Sequence, residues 1–318
     1  MSELSNVTIR QAADFLLEND CFHIICHANP DGDTFGSGFA LCGALQSLGK
    51  KARVLCADEV PESFRSLTEG IAFDSFEPKT VVSVDIADKS LMGSLEEVYA
   101  DKVDLAIDHH LSHVPFCEKR LIEADSAAAC EVVYLVIKEM GVKITPQIAR
   151  SVYTGIATDT GCFKFANTTP RTHSLAAEVM ELDIDFARLN HIFFDMKSRQ
   201  RLSVEQRLIS EMEFYSEGRV ALAVLTEEMI KSLDSEDVNG ISALPRSIQG
   251  VEIGIVLKER DGKWKASLRS VDSADVQAIC KKHGGGGHLR AAGCTLVGKL
   301  DEVKKAIVDD AVRAIENL

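Results

Sequence analysis

The chain has 318 residues, 46% of them hydrophobic and 26% charged, a globular balance that excludes a disordered, collagen-like or coiled-coil chain. With 49 acidic against 35 basic side chains the formal net charge is −14. That charge argues against broad binding to long duplex nucleic acid, which relies on Lys and Arg at phosphates, but leaves a small phosphate ligand open. The nine cysteines show no Cys-x-x-Cys spacing and are odd in number. They read as free thiols of a cytoplasmic, reducing compartment rather than a disulfide framework or a zinc ribbon. The expectation is no membrane span and no secretory signal, because an apolar run of ~18 residues and a basic-then-apolar N-terminus are both missing.

In chain order, residues 1–19 read as an amphipathic helix. Phe22–Cys26 is a short apolar strand, and His27–Asp33 a loop bent by Pro30 and Gly32. Thr34–Leu48 has helical spacing, with Asp33 or Thr34 as its cap and Gly49 as its stop; Ala52–Ala57 is a second strand. Strand, tight loop, helix and strand make a βαβ unit and predict a parallel sheet. Val81–Val84 and Val103–Ile107 are apolar runs that end directly in Asp85 and Asp108, the pattern of buried parallel strands. Helical spacing follows over Asp125–Met140, from Thr145-Pro146 onward, over Pro170–Leu182 and, in pieces, over Asp185–Glu217. Past Gly218 come strands at Val220–Leu225, Val251–Arg260 and Lys263–Ser270, the last two joined by an Asp261-Gly262 turn. A helix near Ala274–His283, four glycines, a strand near Cys294–Val297 and a helix over Leu300–Asn317 complete the chain. The fold class is α/β. A parallel-sheet domain at 1–194 is followed by a helical linker at 195–217 and a smaller α/β domain with a mixed sheet at 218–318.

Four segments carry chemistry. His27-Ala-Asn-Pro-Asp31-Gly-Asp33 sends one imidazole and two carboxylates from a strand end, where ligands of parallel sheets gather. A polar loop with a capping Asp is the plain alternative. Asp85 closes VVSVD and read alone is a turn residue. Asp108-His109-His110 puts an acid and two imidazoles in series after a buried strand; the alternative is a solvated His patch. Asp159, in Thr158-Asp159-Thr160-Gly161, could simply end a helix. Together, His27, Asp31, Asp33, Asp85, His109 and Asp159 give four carboxylates and two imidazoles, an oxygen-rich set that suits Mn²⁺ or another borderline divalent ion better than structural zinc. Six ligands are too many for one open site. One carboxylate shared between two ions ~3.5–4 Å apart is a device for in-line displacement at phosphorus.

Taken in order over residues 20–165, these segments resemble the motifs of the DHH phosphoesterase superfamily. The resemblance implies that Asp85 bridges two metals. His27 and Asp31 would complete one site, and Asp33, His109 and Asp159 the other. His110 would touch the substrate phosphate, with Asp108 supporting it. His113 stands where family members often have Asn.

The C-terminal half adds Gly284-Gly285-Gly286-Gly287-His288-Leu-Arg290-Ala-Ala-Gly293, with Ser267-Leu-Arg269-Ser270 before it. Glycines let backbone N–H groups approach an anion, and Arg offers a planar fork for phosphate. A flexible linker is the alternative reading of a bare glycine run. From Lys258 to Arg290 there are eight Lys and Arg against four acids, a basic stretch in an acidic chain. These motifs resemble the DHH-associated domain of the nano-RNase/pAp-phosphatase subfamily. That resemblance assigns Ser267, Arg269, Gly285, Gly286, Gly287, His288 and Arg290 to substrate. It implies a two-metal, Mn²⁺-dependent hydrolase of short 5′-phosphorylated oligoribonucleotides and of 3′-phosphoadenosine 5′-phosphate (pAp). The expected partners are short single-stranded RNA or small nucleotides, with no long duplex and no membrane. A homodimer is left open. The rival readings are a pApA or c-di-AMP phosphodiesterase and a non-catalytic nucleotide-binding regulator.

Overall fold

A computed structural model describes residues 5–233 and 235–316. They divide after Met196 into two compact units. The first holds β1 (Ser5–Asn6), α1 (Ile9–Glu18), β2 (Phe22–Ile25), α2 (Gly32–Ser47), β3 (Ala52–Leu55), β4 (Thr80–Val84), α3 (Glu96–Tyr99), β5 (Leu105–Asp108) and β6 (Lys119–Ile122). After these come α4 (Ala129–Glu139), α5 (Pro146–Asp159), α6 (Pro170–Met180) and α7 (Phe186–Asn190). The strands form one sheet in the order β1-β6-β5-β4-β2-β3, with every pair parallel.

The central strands β2, β4 and β5 are buried along their whole length, which is why they read as unbroken apolar runs. Their side chains alternate between two cores. Phe22, Ile24, Val82, Val84, Leu105 and Ile107 pack with residues of α1, α2, α4 and α5. Ile25, Val81 and Ala106 face a second cluster with Met92 and Ala100. The chain runs from β2 to β3 on one side and has β4 on the other. This switch of direction opens a crevice beyond the carboxyl ends of β2 and β4.

Two local expectations for this unit are corrected. The opening helix starts at Ile9, because Thr8 and Gln11 form a capping box; Ser5–Asn6 instead pair with β6 at the sheet edge. The cap of α2 is Asp31, not Asp33 or Thr34. Its extended backbone lets the carboxylate accept from Asp33 N at 3.0 Å and Thr34 N at 3.1 Å, which pulls the helix start back to Gly32.

The second unit holds α8 (Arg199–Ser210), β7 (Glu213–Tyr215), β8 (Val220–Leu225), α9 (Glu227–Lys231), α10 (Ser235–Gly240), β9 (Ile253–Arg260) and β10 (Lys263–Ser270). It ends with α11 (Val276–Lys282), β11 (Gly286–His288), β12 (Ala291–Leu296) and α12 (Leu300–Glu316). Its mixed sheet has the order β11-β12-β10-β9-β8-β7, with only β8 and β9 parallel. One face packs Ile253, Ile255, Leu257, Trp264, Ala266 and Leu268 against residues of α11 and α12. On the other, Ala221, Ala223, Leu225 and Val256 pack with Val204 and Leu208 of α8. Asp261 and Gly262 both take positive φ, +51° and +69°, as the tight hairpin between β9 and β10 requires. Glu213–Tyr215, expected to be helical, is an edge strand on β8: ladder pairing overrides a weak helical pattern. Gly286–His288, within and just after the glycine run, is a short strand paired with β12. Among the described residues no helix is long and apolar enough to cross a membrane.

Candidate functional site

Four chain segments deliver the candidate ligands of the first unit to one place. His27 follows β2, and Asp31 and Asp33 sit at the start of α2. Asp85 follows β4, Asp108–His110 ends β5, and Asp159 is the last residue of α5. The structure forms three overlapping groups whose ligand atoms lie within 4.8 Å of one another: His27, Asp31 and Asp85; Asp33, His109 and Asp159; and Asp85, His109 and His110.

Asp85 spans the groups. Its Oδ2 is 3.6 Å from His27 Nε2, and its Oδ1 is 3.7 Å from His109 Nε2. His27 Nε2 is also 3.6 Å from Asp31 Oδ1. His109 Nε2 lies 3.8 Å from Asp33 Oδ2 and 3.7 Å from Asp159 Oδ2. These separations are too long for hydrogen bonds. Atoms that share one ion at ~2.0–2.2 Å lie at most ~4.4 Å apart, so the spacing suits a common cation.

The imidazoles are oriented for that role. His27 Nδ1 is 2.9 Å from Ala28 O, and His109 Nδ1 is 3.2 Å from Ser126 O. A carbonyl can only accept, so Nδ1 carries the hydrogen and Nε2 is the nitrogen left facing the carboxylates, the one a metal would take in place of a proton. Asp33 is clamped by the start of α4, accepting from Ala129 N at 2.6 Å and Cys130 N at 2.9 Å. Asp85 holds a left-handed backbone, φ +58°, unusual for a residue with a side chain and a common mark of functional sites. Its buried Oδ1 has no hydrogen-bond partner among the described residues.

The electrostatics point the same way. Burial, then the neighbouring Asp33, pushes Asp85 well above the usual carboxylate range. Burial also raises Asp33. Burial, with Asp33 and Asp31, pushes Asp159 up to about 8. Burial opposes protonation of His27, yet the facing Asp31 and Asp85 push it up to about 11. Four crowded carboxylates, of which Asp33 and Asp85 are buried, are costly unless a cation offsets them. The donor set, its spacing and the orphaned Asp85 oxygen therefore fit a divalent metal.

Asp108 is fully buried and serves as a hub. Its Oδ1 faces His110 Nδ1 at 2.8 Å, and its Oδ2 faces His113 Nδ1 at 2.8 Å. Burial works against its ionised form, but the two imidazoles prevail and hold it well below the ordinary carboxylate range. The Asp108 contact outweighs burial at His110 and raises it to about 9.

In the second unit Ser267 and Arg269 lie on β10, facing Gly293 and Ala291 of β12. Gly286 and Gly287 pair with Gly293 and Ala292 on the far side of β12, so these motifs flank one strand. A Cβ at Gly285 would meet Gly293 O at 2.2 Å, whereas Gly286 faces open space. Arg290 is exposed, and the His288 side chain lies outside the described residues.

Sequence reasoning passed over several supports. Ser126 supplies the carbonyl that orients His109, and its hydroxyl accepts from Arg171 Nη2 at 2.8 Å. Gly155 leaves room that a Cβ would take from Cys130 Sγ, at 2.1 Å, and Asp33 Oδ1, at 2.8 Å. Gly155 was visible inside a helical pattern, a placement that calls for a packing reason. Nothing in the local pattern flags Ser126.

Comparison with known proteins agrees with this geometry. Residues 22–156 match the DHH family, N-terminal domain, and residues 220–317 match the DHHA1 domain. The chain is 33% identical over 307 residues to the bifunctional oligoribonuclease and PAP phosphatase NrnA of Thermus thermophilus, covering 92% of this chain and 89% of that protein. A Bacillus subtilis protein of the same name is 22% identical, covering 89% and 91%. Among solved structures, an exopolyphosphatase-related protein of Bacteroides fragilis superposes with a TM-score of 0.87 at 25% identity, covering 97% and 96%. RecJ of Thermus thermophilus in complex with Mn²⁺ shares the fold, with a TM-score of 0.59 at 14% identity, covering 99% of this chain and 56% of that one. The chain belongs to the DHH family of metal-dependent phosphoesterases, with a DHHA1 domain following the DHH domain.

Proposed function

We propose that the chain is an Mn²⁺-dependent phosphoesterase that removes nucleotides one at a time from short 5′-phosphorylated oligoribonucleotides and converts pAp to AMP. The observation that carries this reading is Asp85, whose two oxygens face two different ligand groups. That is the arrangement two neighbouring ions need. The names of the relatives in Thermus thermophilus and Bacillus subtilis support the substrate class.

In this reading His27 and Asp31 hold one ion, Asp33, His109 and Asp159 the other, and Asp85 both. When bound, the ions supply Lewis acidity and a water of lowered pKa. The remaining work belongs to side chains. His110, fixed through Nδ1 by Asp108, turns its other ring nitrogen to a phosphoryl oxygen. Ser267, Arg269, His288, Arg290 and the Gly285–Gly287 backbone hold the part of the substrate that does not react. Hydrolysis forms one bond from water oxygen to phosphorus and breaks one phosphorus–oxygen ester bond, with the leaving oxygen taking a proton. The nine free cysteines support a cytoplasmic location.

The test is a substrate panel with Mn²⁺: pAp, 5′-phosphorylated di- to pentaribonucleotides, a 24-mer, pApA, c-di-AMP and pyrophosphate. Turnover is expected on pAp and the short RNAs, with little on the 24-mer or pyrophosphate. Preference for pyrophosphate or the 24-mer would overturn the reading. Preference for pApA or c-di-AMP would move it to the dinucleotide class.

A further inference from the structure

The sheet face that carries Ser267 and Arg269 holds more positive charge than one phosphate needs. Trp264, Ala266 and Leu268 of β10 point into the core with α11 and α12, so Lys263, Lys265, Ser267 and Arg269 point the other way. Their partners on β9 are Arg260, Lys258, Val256 and Gly254. Lys265 thus stands directly opposite Lys258, a pairing that like charges make unfavourable. On the other flank β12 offers only Thr295, Gly293 and Ala291. No carboxylate occupies these strand positions.

Arg246 reaches the same face from outside the sheet. Gly254 is the ladder partner of Arg269, and a Cβ there would meet Arg246 N at 2.8 Å and Pro245 Cβ at 3.1 Å. The missing side chain is what lets this segment lie over the strand beside Arg269. Among the described residues neither arginine has a carboxylate partner; the Arg269 fork donates from Nη1 to Leu268 O at 3.1 Å. Burial, then Arg246, lowers the Arg269 pKa. Burial, then Lys265 and Arg269, pushes Lys258 down to about 8, while its Nζ donates to Val238 O at 3.1 Å. The cations sense one another, and an anion is the natural relief.

We infer that this face is a track for the backbone of a single-stranded oligonucleotide, with Arg246 and Arg269 holding one phosphate and Lys265, backed by Lys258, holding another that is not its immediate neighbour but at least one nucleotide further along. The inference rests on the oligonucleotide reading above and extends it to substrates with several phosphates. Arg269 and Lys265 are four residues apart on one strand, ~13 Å at ~3.3 Å per residue. The two phosphates of pAp sit on one ribose and cannot reach both positions.

The test compares KM and kcat of the Mn²⁺-loaded full chain on pAp and on a 5′-phosphorylated pentaribonucleotide, for wild type, Lys265→Gln, Lys265→Arg and Arg246→Gln. Lys265→Gln is expected to raise the ratio of pentamer KM to pAp KM about fivefold, the size of one exposed charge contact, with kcat moving less than about twofold. Lys265→Arg should restore the ratio. Arg246→Gln should raise KM on both substrates. Lys265 is exposed, so its variants do not threaten folding. An unchanged ratio in Lys265→Gln, with wild type active on both substrates, would overturn the track alone. A wild type inactive on both would instead overturn the proposed function.

Discussion

Asp85 stands at the end of β4 in a left-handed backbone conformation, buried, with one oxygen that has no hydrogen bond among the described residues. A residue kept there against its own stability is kept for what it binds. Asp85→Asn is expected to lower metal-dependent turnover by more than the ~10–100-fold that loss of an outer support costs a metal site. The same change should leave the thermal midpoint in chelator unchanged or higher, because one crowded carboxylate is gone. Near-normal kcat at saturating Mn²⁺ would sink the spanning role. His113 makes the opposite case. Its Nδ1 holds Asp108 Oδ2, and an Asn side chain places a donor nitrogen at the same distance from the backbone. His113→Asn should therefore keep turnover within about threefold. His113→Ala leaves a buried carboxylate oxygen unpaired and should cost ~1–3 kcal/mol in chemical denaturation. The candidate segments at 27–33, 85 and 108–110 were legible because polar residues abruptly ended apolar runs, whereas Asp159, at the end of a helical pattern, stood out only beside the other motifs. What holds them was not: Ser126 O, Ala129 N and Cys130 N are backbone groups, and backbone groups leave no trace in residue type.

Helix α2 and helix α5 carry Asp33 and Asp159 and approach each other through glycine. A Cβ at Gly36 would meet Ser151 O at 2.5 Å, and one at Gly32 would meet Thr158 Oγ1 at 2.3 Å. Gly155→Ala forces a methyl against Cys130 Sγ and Asp33 Oδ1. It should destabilise the protein by ~1–3 kcal/mol and weaken metal binding as well. Loss of stability with metal affinity intact would show that Asp33 is not set by this contact. At the same scale, strands were readable where pattern was strong. Val220–Leu225 and Lys263–Ser270 appear with the expected bounds. The first is a continuous apolar run, and the second is pinned by the Asp261-Gly262 turn. β1, β6, β7 and β11 were missed. They have two to four residues each, carry polar side chains or glycine, and owe their form to the neighbour they pair with.

For the whole molecule, a charge of −14 with a buried acidic cluster predicts that stability depends on divalent ions. Free Mn²⁺ at 100 times its dissociation constant should add ~2.7 kcal/mol to unfolding for each ion bound, and a chelator should remove it. Melting curves with and without chelator check this; no shift would mean that the cluster holds no ion. The spread of these groups along the chain also has a temporal meaning. A ribosome releases His27, Asp31 and Asp33 first, then Asp85, then His109, and Asp159 last. The group of His27, Asp31 and Asp85 is therefore complete while α5 is still unmade, and the group of Asp33, His109 and Asp159 closes only with the final turn of that helix. Domains of a growing chain fold as units, the amino-terminal one first. A nascent chain stalled before Asp159 has made every residue of the first group but lacks one of the second, so the second group is the last of the two to be completed during synthesis.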